Sequence, residues 1–242
     1  ILIDIPGAKP RTLNKNPIKI IKGQKIIFSY KSSNKNEIPI SNPLPKLYKK
    51  SIKYFSISDG TYIFKYIGLK NKKLIGTSMQ TFSLLPKKGI NIPFSIYDNS
   101  LQEKVYTKSI NKISNMKFDC IGLSFIQSSN IIKKLKKQNK NLIFISKIEN
   151  FLGYKNRKEI ILESDAIMID RGDLAAEVGN EKLTEYSENI INDCKIFGKP
   201  IIIATENLNS LINNFAPTKS DILNLDYYIS KKVDFVMLSD ET

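Results

Sequence analysis

Leu142-Ile143-Phe144-Ile145-Ser146-Lys147-Ile148 runs directly into Glu149-Asn150. Its apolar residues are nearly continuous, the pattern of a strand covered on both faces in a parallel sheet. Lys147 and Glu149 stand two apart, so both project from one face at the carboxyl end of that strand. Downstream the motif recurs in outline. Ala166–Ile169 ends in Asp170-Arg171-Gly172-Asp173, Ile201–Ala204 ends in Thr205-Glu206, and Phe235–Leu238 ends in Ser239-Asp240-Glu241-Thr242. Upstream, Cys120–Phe125 reads as a further strand. Four successive strands thus deliver polar groups at the same end, which in α/β barrels holds the active site.

The segments between these strands read as helices. Leu183, Tyr186, Ile190, Cys194 and Phe197 recur at helical spacing over Glu181–Phe197, and Gly198 supplies a stop. A second helix is expected from the cap Thr218, after Pro217, to about Lys231. Strands alternating with helices imply a parallel sheet with right-handed crossovers. The stretch before residue 94 differs. Ile18–Ile21, Lys25–Ser29, Tyr54–Ile57 and Thr61–Tyr66 read as short strands, Ser58-Asp59-Gly60 as a turn, and residues 31–50 as a polar loop. The expected fold is therefore α/β: a partial TIM-type (β/α)8 barrel from residues 1–11 and 94–242, with a small β-barrel lid domain, residues 12–93, inserted after the first strand.

Composition narrows the chemistry. The chain has 242 residues, 41% hydrophobic and 25% charged, within the globular norm. No apolar run approaches the roughly 20 residues that span a bilayer, so no membrane partner is expected. There is no histidine, which removes His-based triads, bases and metal ligands, and only Cys120 and Cys194, which removes a four-cysteine zinc site. Both cysteines fall on apolar-periodic segments and read as buried thiols. The net charge is +15, but only Arg11, Arg157 and Arg171 are arginines, and the lysines are scattered among Asn and Ile. A nucleic-acid surface would favour arginine, so no specific nucleic-acid partner is expected. Carboxylates, lysine, hydroxyls, backbone amides and a hard cation remain. Glu149 and Asp173 can hold Mg²⁺ with water and phosphate oxygens. Lys147 beside them can stabilise a phosphoryl group in transfer. Taken singly, each polar strand end is more readily read as a helix cap, and Lys147–Glu149 as a simple ion pair.

The motifs together resemble the pyruvate kinase family. Ile145–Asn150 is similar to that family's ISKIEN, and Ser164–Leu174 to SDGIMVARGDL. Gly198–Thr205 is similar to GKPVICAT, Asp234–Thr242 to DAVMLSGET, Asp4–Thr12 to DLPGPKIRT, Lys88–Pro93 to KGVNLP and Ser124-Phe125-Ile126 to SFIRS. The motifs occur in family order over nearly the whole chain. The resemblance implies phosphoryl transfer from phosphoenolpyruvate to ADP, giving pyruvate and ATP in glycolysis, with Mg²⁺ (or Mn²⁺) and K⁺ as cofactors. Lys147 would be catalytic. Lys147, Gly172, Asp173 and Thr205 would bind substrate, Glu149 and Asp173 the divalent metal, Asp4 and the carbonyl of Ile5 a monovalent cation, and Arg11 and Lys88 the nucleotide. It also implies a homo-oligomer, a tetramer, in the cytoplasm, or in an organelle if a leader precedes residue 1. Without an initiator Met at Ile1, and with a strand cut just past its tip at Thr242, the sequence reads as an internal piece lacking the first two barrel strands. The piece alone is expected to be inactive.

Several positions depart from the family motifs: Gln127 for Arg in SFIRS, Glu206-Asn207 for Gln-Met, Leu223–Ile229 in a SDVANAV helix, Asp170 for Ala before Arg-Gly-Asp, and Asp240 for Gly. Ala175–Gly179 is closer to short bacterial-type pyruvate-kinase-like proteins. The alternative these raise is a degenerate relative that binds phosphorylated ligands or a partner without turnover.

Overall fold

The computed structural model describes the chain except Ser33, Lys50, Ser51 and residues 239–242. Strand β1 (Leu2–Ile5) is followed by ten short strands: β2 (Ile18–Ile20), β3 (Lys25–Tyr30), β4 (Ile38–Ile40), β5 (Lys46–Leu47), β6 (Tyr54–Ile57), β7 (Tyr62–Lys70), β8 (Lys73–Ser78), β9 (Phe82–Leu84), β10 (Ile90–Asn91) and β11 (Ser95–Ile96). Then strands and helices alternate: α1 (Asn99–Ile113), β12 (Cys120–Leu123), α2 (Ser129–Gln138), β13 (Ile143–Ile148), α3 (Phe151–Lys155), α4 (Arg157–Glu163) and β14 (Ala166–Asp170). The chain continues through α5 (Arg171–Val178), α6 (Asn180–Ile196), β15 (Ile201–Ala204), a 3-10 turn at Asn209–Ile212, α7 (Lys219–Ser230) and β16 (Phe235–Val236).

The parallel sheet has six strands in the order β1-β12-β13-β14-β15-β16, curled as part of a TIM-type barrel. β1 pairs with β12 from Leu2↔Cys120 to Ile5↔Leu123, across the whole inserted β region. Side chains alternate about this sheet. Phe144, Ile148, Ile167, Ile169, Ile201 and Ile203 face the helices and form the main core with Ile131, Ile160, Leu174 and Ile190. Ile145, Ala166, Met168 and Ala204 face the other way and line the barrel interior. Lys147 follows Ile145 on that interior face, and Asp170 follows Met168. The register Lys147↔Met168 therefore brings the two polar tips together.

The inserted strands form a six-stranded mixed sheet, β10-β6-β7-β8-β3-β4, with two two-stranded ladders, around a core of Phe28, Phe55, Phe64, Leu74 and Leu84. It meets the barrel along a seam. The Tyr97 amide donates to Gln127 Oε1 at 3.1 Å, and Gln127 Nε2 donates to the Ser95 carbonyl at 3.2 Å. Phe94 meets Phe151 edge-on at 5.0 Å. Gln127 is short enough to bond both backbone groups in a buried corner, a structural role for that departure.

The strand after Cys120 stops at Leu123 instead of Phe125, because Phe125 turns the chain with φ 60°. β7 continues to Lys70, past a register shift at Tyr66/Gly68. Residues 31–50, read as loop, contain β4 and β5. The last strand ends at Val236, short of Leu238. Both anticipated long helices form. Thr218 caps α7 in a reciprocal capping box with Asp221. Cys194 is buried, and burial pushes its thiol up to about 12, but Cys120 is only half-buried toward the barrel interior. Asp240 lies outside the described residues.

Candidate active site

Pro6-Gly7 folds over the end of β12 so closely that a Cβ on Gly7 would stand 2.3 Å from the Ser124 carbonyl oxygen. Only glycine fits this approach. The turn brings Lys9 and Arg11 over the strand ends. A cavity of about 200 Å³ results, walled by Asp4, Lys9, Arg11, Asp59, Lys147, Glu149, Asp170 and Asp173 with the Gly7 and Phe125 backbones.

At its floor Lys147 Nζ reaches Asp4 Oδ2 at 2.7 Å, Glu149 Oε1 at 2.9 Å and Asp170 Oδ2 at 3.2 Å. Burial works to lower its pKa, but the carboxylates of Glu149, Asp170 and Asp4 outweigh that and hold the ammonium well above the usual lysine range. Lys147 is thus a fixed cation. Glu149 is 1% exposed, and the Phe125 amide donates to its second oxygen. Burial raises its pKa well above the carboxylate range, Lys147 opposes the rise, and Asp170 and Asp173 add to it.

Asp173, in the first turn of α5, accepts from Lys9 Nζ and from Asn91 Nδ2 at 2.7 Å. Burial raises its pKa to about 6, against the pull of Lys9. Lys9 also bonds Asp59 on the Ser58–Gly60 turn at 2.9 Å, so one buried ammonium ties the lid turn to the barrel. Gly172 lies between the two bodies. A Cβ there would stand 3.7 Å from Thr205 Oγ1 and 3.9 Å from both Asp170 Oδ1 and Asp59 Cβ. The Gly172 amide donates to Thr205 Oγ1 at 3.0 Å.

Glu149, Asp170 and Asp173 each place a carboxylate oxygen within 4.8 Å of the others. Around the cavity five carboxyl groups (Asp4, Asp59, Glu149, Asp170, Asp173) face three cations (Lys9, Lys147, Arg11), a surplus of two negative charges when all five are ionised, the state a bound cation would favour. Hard oxygen donors, raised carboxyl pKa values and that surplus fit a divalent cation such as Mg²⁺. The monovalent site fits less well. Asp4 is already bonded to Lys147 at 2.7 Å and to the Ser124 hydroxyl at 3.0 Å, and the Ile5 carbonyl accepts the Ser124 amide at 3.2 Å. Those two oxygens do not by themselves make a cation site, so no step is assigned to K⁺.

Of the anticipated residues, Asp4, Lys147, Glu149, Gly172, Asp173 and Thr205 converge, and Arg11 reaches the cavity rim. Lys88 does not line the cavity. Its backbone brackets Thr12, accepting from the Thr12 amide at 2.9 Å. Sequence reading missed Lys9, Asp59 and Asn91, and took Asp170 only as a departure. Asp59 and Asn91 belong to the lid, so only the folded chain brings them to the site. Lys9 could have been found, since it sits inside the Asp4–Thr12 motif.

Fold and site define an α/β-barrel protein with a buried lysine–carboxylate centre at the carboxyl ends of the barrel strands. A family model described as pyruvate kinase, barrel domain, matches residues 1–242. All of the chain aligns with the cytosolic pyruvate kinase isozyme of Nicotiana tabacum at 29% identity and with the pyruvate kinase of Thermococcus litoralis at 31%, covering 50% and 53% of those proteins. The crystal structure of a pyruvate kinase from Cryptosporidium parvum superposes on the whole chain with a TM-score of 0.82 at 27% identity, with 52% of that chain covered. The chain belongs to the pyruvate kinase family. It spans about half the length of the relatives it matches.

Proposed function

We propose that the protein carrying this chain transfers the phosphoryl group of phosphoenolpyruvate to ADP, yielding pyruvate and ATP, as a glycolytic enzyme of the cytoplasm that works as a homo-oligomer. The observation that carries this reading is Lys147, buried at the floor of the cavity and held among three carboxylates, one of which, Asp170, also reaches Thr205 Oγ1. Phosphoryl transfer needs positioning and charge neutralisation more than a nucleophilic side chain, which suits a site without histidine.

Each residue has a role in that chemistry. Glu149 and Asp173, with Asp170 beside them, would hold Mg²⁺ (or Mn²⁺). The ion would neutralise charge on the phosphate oxygens and supply Lewis-acid stabilisation. Lys147 offers its ammonium to the phosphoryl oxygens, and its carboxylate neighbours keep it protonated through transfer. The Asp173 amide, with the Gly172 amide and the Thr205 hydroxyl once they give up the bond between them, would donate to the substrate carboxylate. Arg11 at the rim would meet nucleotide phosphates, and Lys88 would follow only if the lid shifts. The Lys9–Asp59 tie holds the Ser58–Gly60 turn against the site.

A second reading, ligand binding without turnover, draws on Asp170. Its carboxylate claims both Lys147 at 3.2 Å and Thr205 Oγ1 at 3.3 Å, groups that substrate needs. One assay separates the two: pyruvate release from phosphoenolpyruvate and ADP with Mg²⁺, by the intact parent protein and its Lys147→Ala variant. The enzyme reading expects metal-dependent pyruvate, reduced by about 10²- to 10³-fold in the variant, the scale of loss when one preorganised stabilising donor is removed. No pyruvate above the variant's background, from folded protein, overturns it in favour of binding alone.

A further inference from the structure

Behind the anion-binding end lies a buried cation that the chemistry above does not use. Arg171, 2% exposed, is the first residue of α5, and no acidic partner pairs with it among the described residues. Its guanidinium is met by neutral oxygens instead. Nε donates to the Ala204 carbonyl at 3.4 Å and one terminal nitrogen to Asn224 Oδ1 at 2.6 Å; the other donates to the Thr205 carbonyl and to Asn207 Oδ1 at 2.8 Å. Tyr228 of α7 covers the plane at 4.9 Å. Desolvating a guanidinium is costly unless its donors are filled, and this fork fills them with the turn after β15.

That turn is strained. Thr205, Glu206 and Leu208 have φ of 63°, 53° and 56°. Left-handed backbone is unfavourable for any side chain and most of all for a β-branched one. Such residues persist only where their surroundings over-determine them. Here the clamps are Arg171 from one side and Asn207 from the other. Asn207 is 2% exposed, and its Nδ2 donates to the carbonyls of Ile203 at 3.2 Å and Met237 at 2.9 Å. The strained conformation aims Thr205 Oγ1 at the Gly172 amide.

We propose that Arg171 and Asn207 are positioning residues that hold Thr205 in its strained conformation, so that its hydroxyl and the Gly172 amide, bonded to each other here, stand side by side where a substrate carboxylate would exchange their bond for its own. This rests on the phosphotransferase reading and deepens it. Neither residue touches substrate. Their effect passes through Thr205 to the phosphoenolpyruvate end, not to the nucleotide end, and Asn224 and Tyr228 extend the clamp to α7.

The test compares Arg171→Lys, Asn207→Met and the double variant in the intact parent protein. Arg171→Lys keeps the charge but loses the fork. Losing a charged hydrogen bond that orients a ligand group predicts a rise of about tenfold in KM for phosphoenolpyruvate, with KM for ADP and kcat within about twofold. Asn207→Met shifts the same constant in the same direction. The double variant falls short of the product of the two single effects, because both act on one turn. Calorimetric binding of phosphoenolpyruvate with Mn²⁺ weakens in parallel. An unchanged KM for phosphoenolpyruvate in folded variants overturns the proposal, as does an equal loss across both substrates and kcat tracking a fall in Tm. If the wild type binds phosphoenolpyruvate but makes no pyruvate, the phosphotransferase reading fails alone, and the binding series still decides the role of Arg171 and Asn207.

Discussion

At the scale of single residues, burial and charge set what each group can do, and the seam below the site shows this most clearly. Glu177 is 1% exposed and accepts the Ser95 hydroxyl at 3.1 and 3.2 Å. Burial raises its pKa to about 8, while the Ser95 hydroxyl and Lys9 pull the other way. A folded-state carboxyl pKa above its unfolded value contributes stability that is fully present below the unfolded pKa and is lost as pH rises through the folded one. Glu177 therefore stabilises the fold below about pH 4.5 and loses that contribution toward pH 8, by at most about 1.4 kcal/mol per pH unit. Glu177→Gln removes the titration. Its Tm should match the wild type near pH 4.5, exceed it increasingly up to about pH 8 and hold a constant excess above that, measured by scanning calorimetry in a pH series. A constant difference across the series rejects the assignment. The sequence hid this residue, because α5 was not read as a helix and its partner Ser95 lies 82 residues away. By contrast, Lys147 and Glu149 were legible because a two-residue spacing on a strand leaves one choice of face.

At the scale of elements, the hydrophobic period carried most of the barrel and little of the lid. β13, β14 and β15 are continuous apolar runs, and helix α6 keeps Ile190 and Cys194 buried at helical spacing, so their order followed from pattern alone. β4 and β5 sit in a stretch rich in Lys, Asn and Pro. Long-range pairing makes them strands: β4 lies parallel to β3 through Phe28↔Ile38, and β5 meets β11 through Leu47↔Ser95. No local window contains that information. The Ser58–Gly60 turn was legible as a turn but not as a latch. Its Ser58 and Asp59 both take positive φ, and Asp59 spans from the lid to Lys9. Asp59→Ala should free this turn while Lys9 keeps Asp173. Asp59 is largely exposed, so the effect is modest: amide exchange at Ser58–Thr61 should accelerate by up to about fivefold, the scale of an exposed ion pair. Unchanged exchange there, read by mass spectrometry, shows that the turn is held by its backbone alone.

At the scale of the whole molecule, six strands curl without closing. β1 and β16 each pair on one side only among the described residues. Around those two edges Ile1, Leu2, Leu223, Phe215 and Phe235 stand exposed, with Phe215 and Ile1 among the most open apolar residues of the chain. A parallel sheet with one face uncovered is unusual, and unpaired edges beside such a face template association. The net charge of +15 opposes that association at low ionic strength, and added salt screens it. The 242-residue chain by itself should therefore associate as salt rises from about 0.02 to 0.5 M, bind a hydrophobic dye and unfold with a broad transition. The intact parent protein should keep one assembly state across that salt range, leave the dye dark and unfold sharply. Sedimentation velocity at several concentrations and salts, with dye fluorescence on the same samples, makes the comparison. A monomer that unfolds sharply and leaves the dye dark at high salt would mean that the edges are protected within this chain. Association at low salt that salt reverses would instead assign it to charge, with lysine-rich surfaces contacting acidic ones, and not to the open sheet.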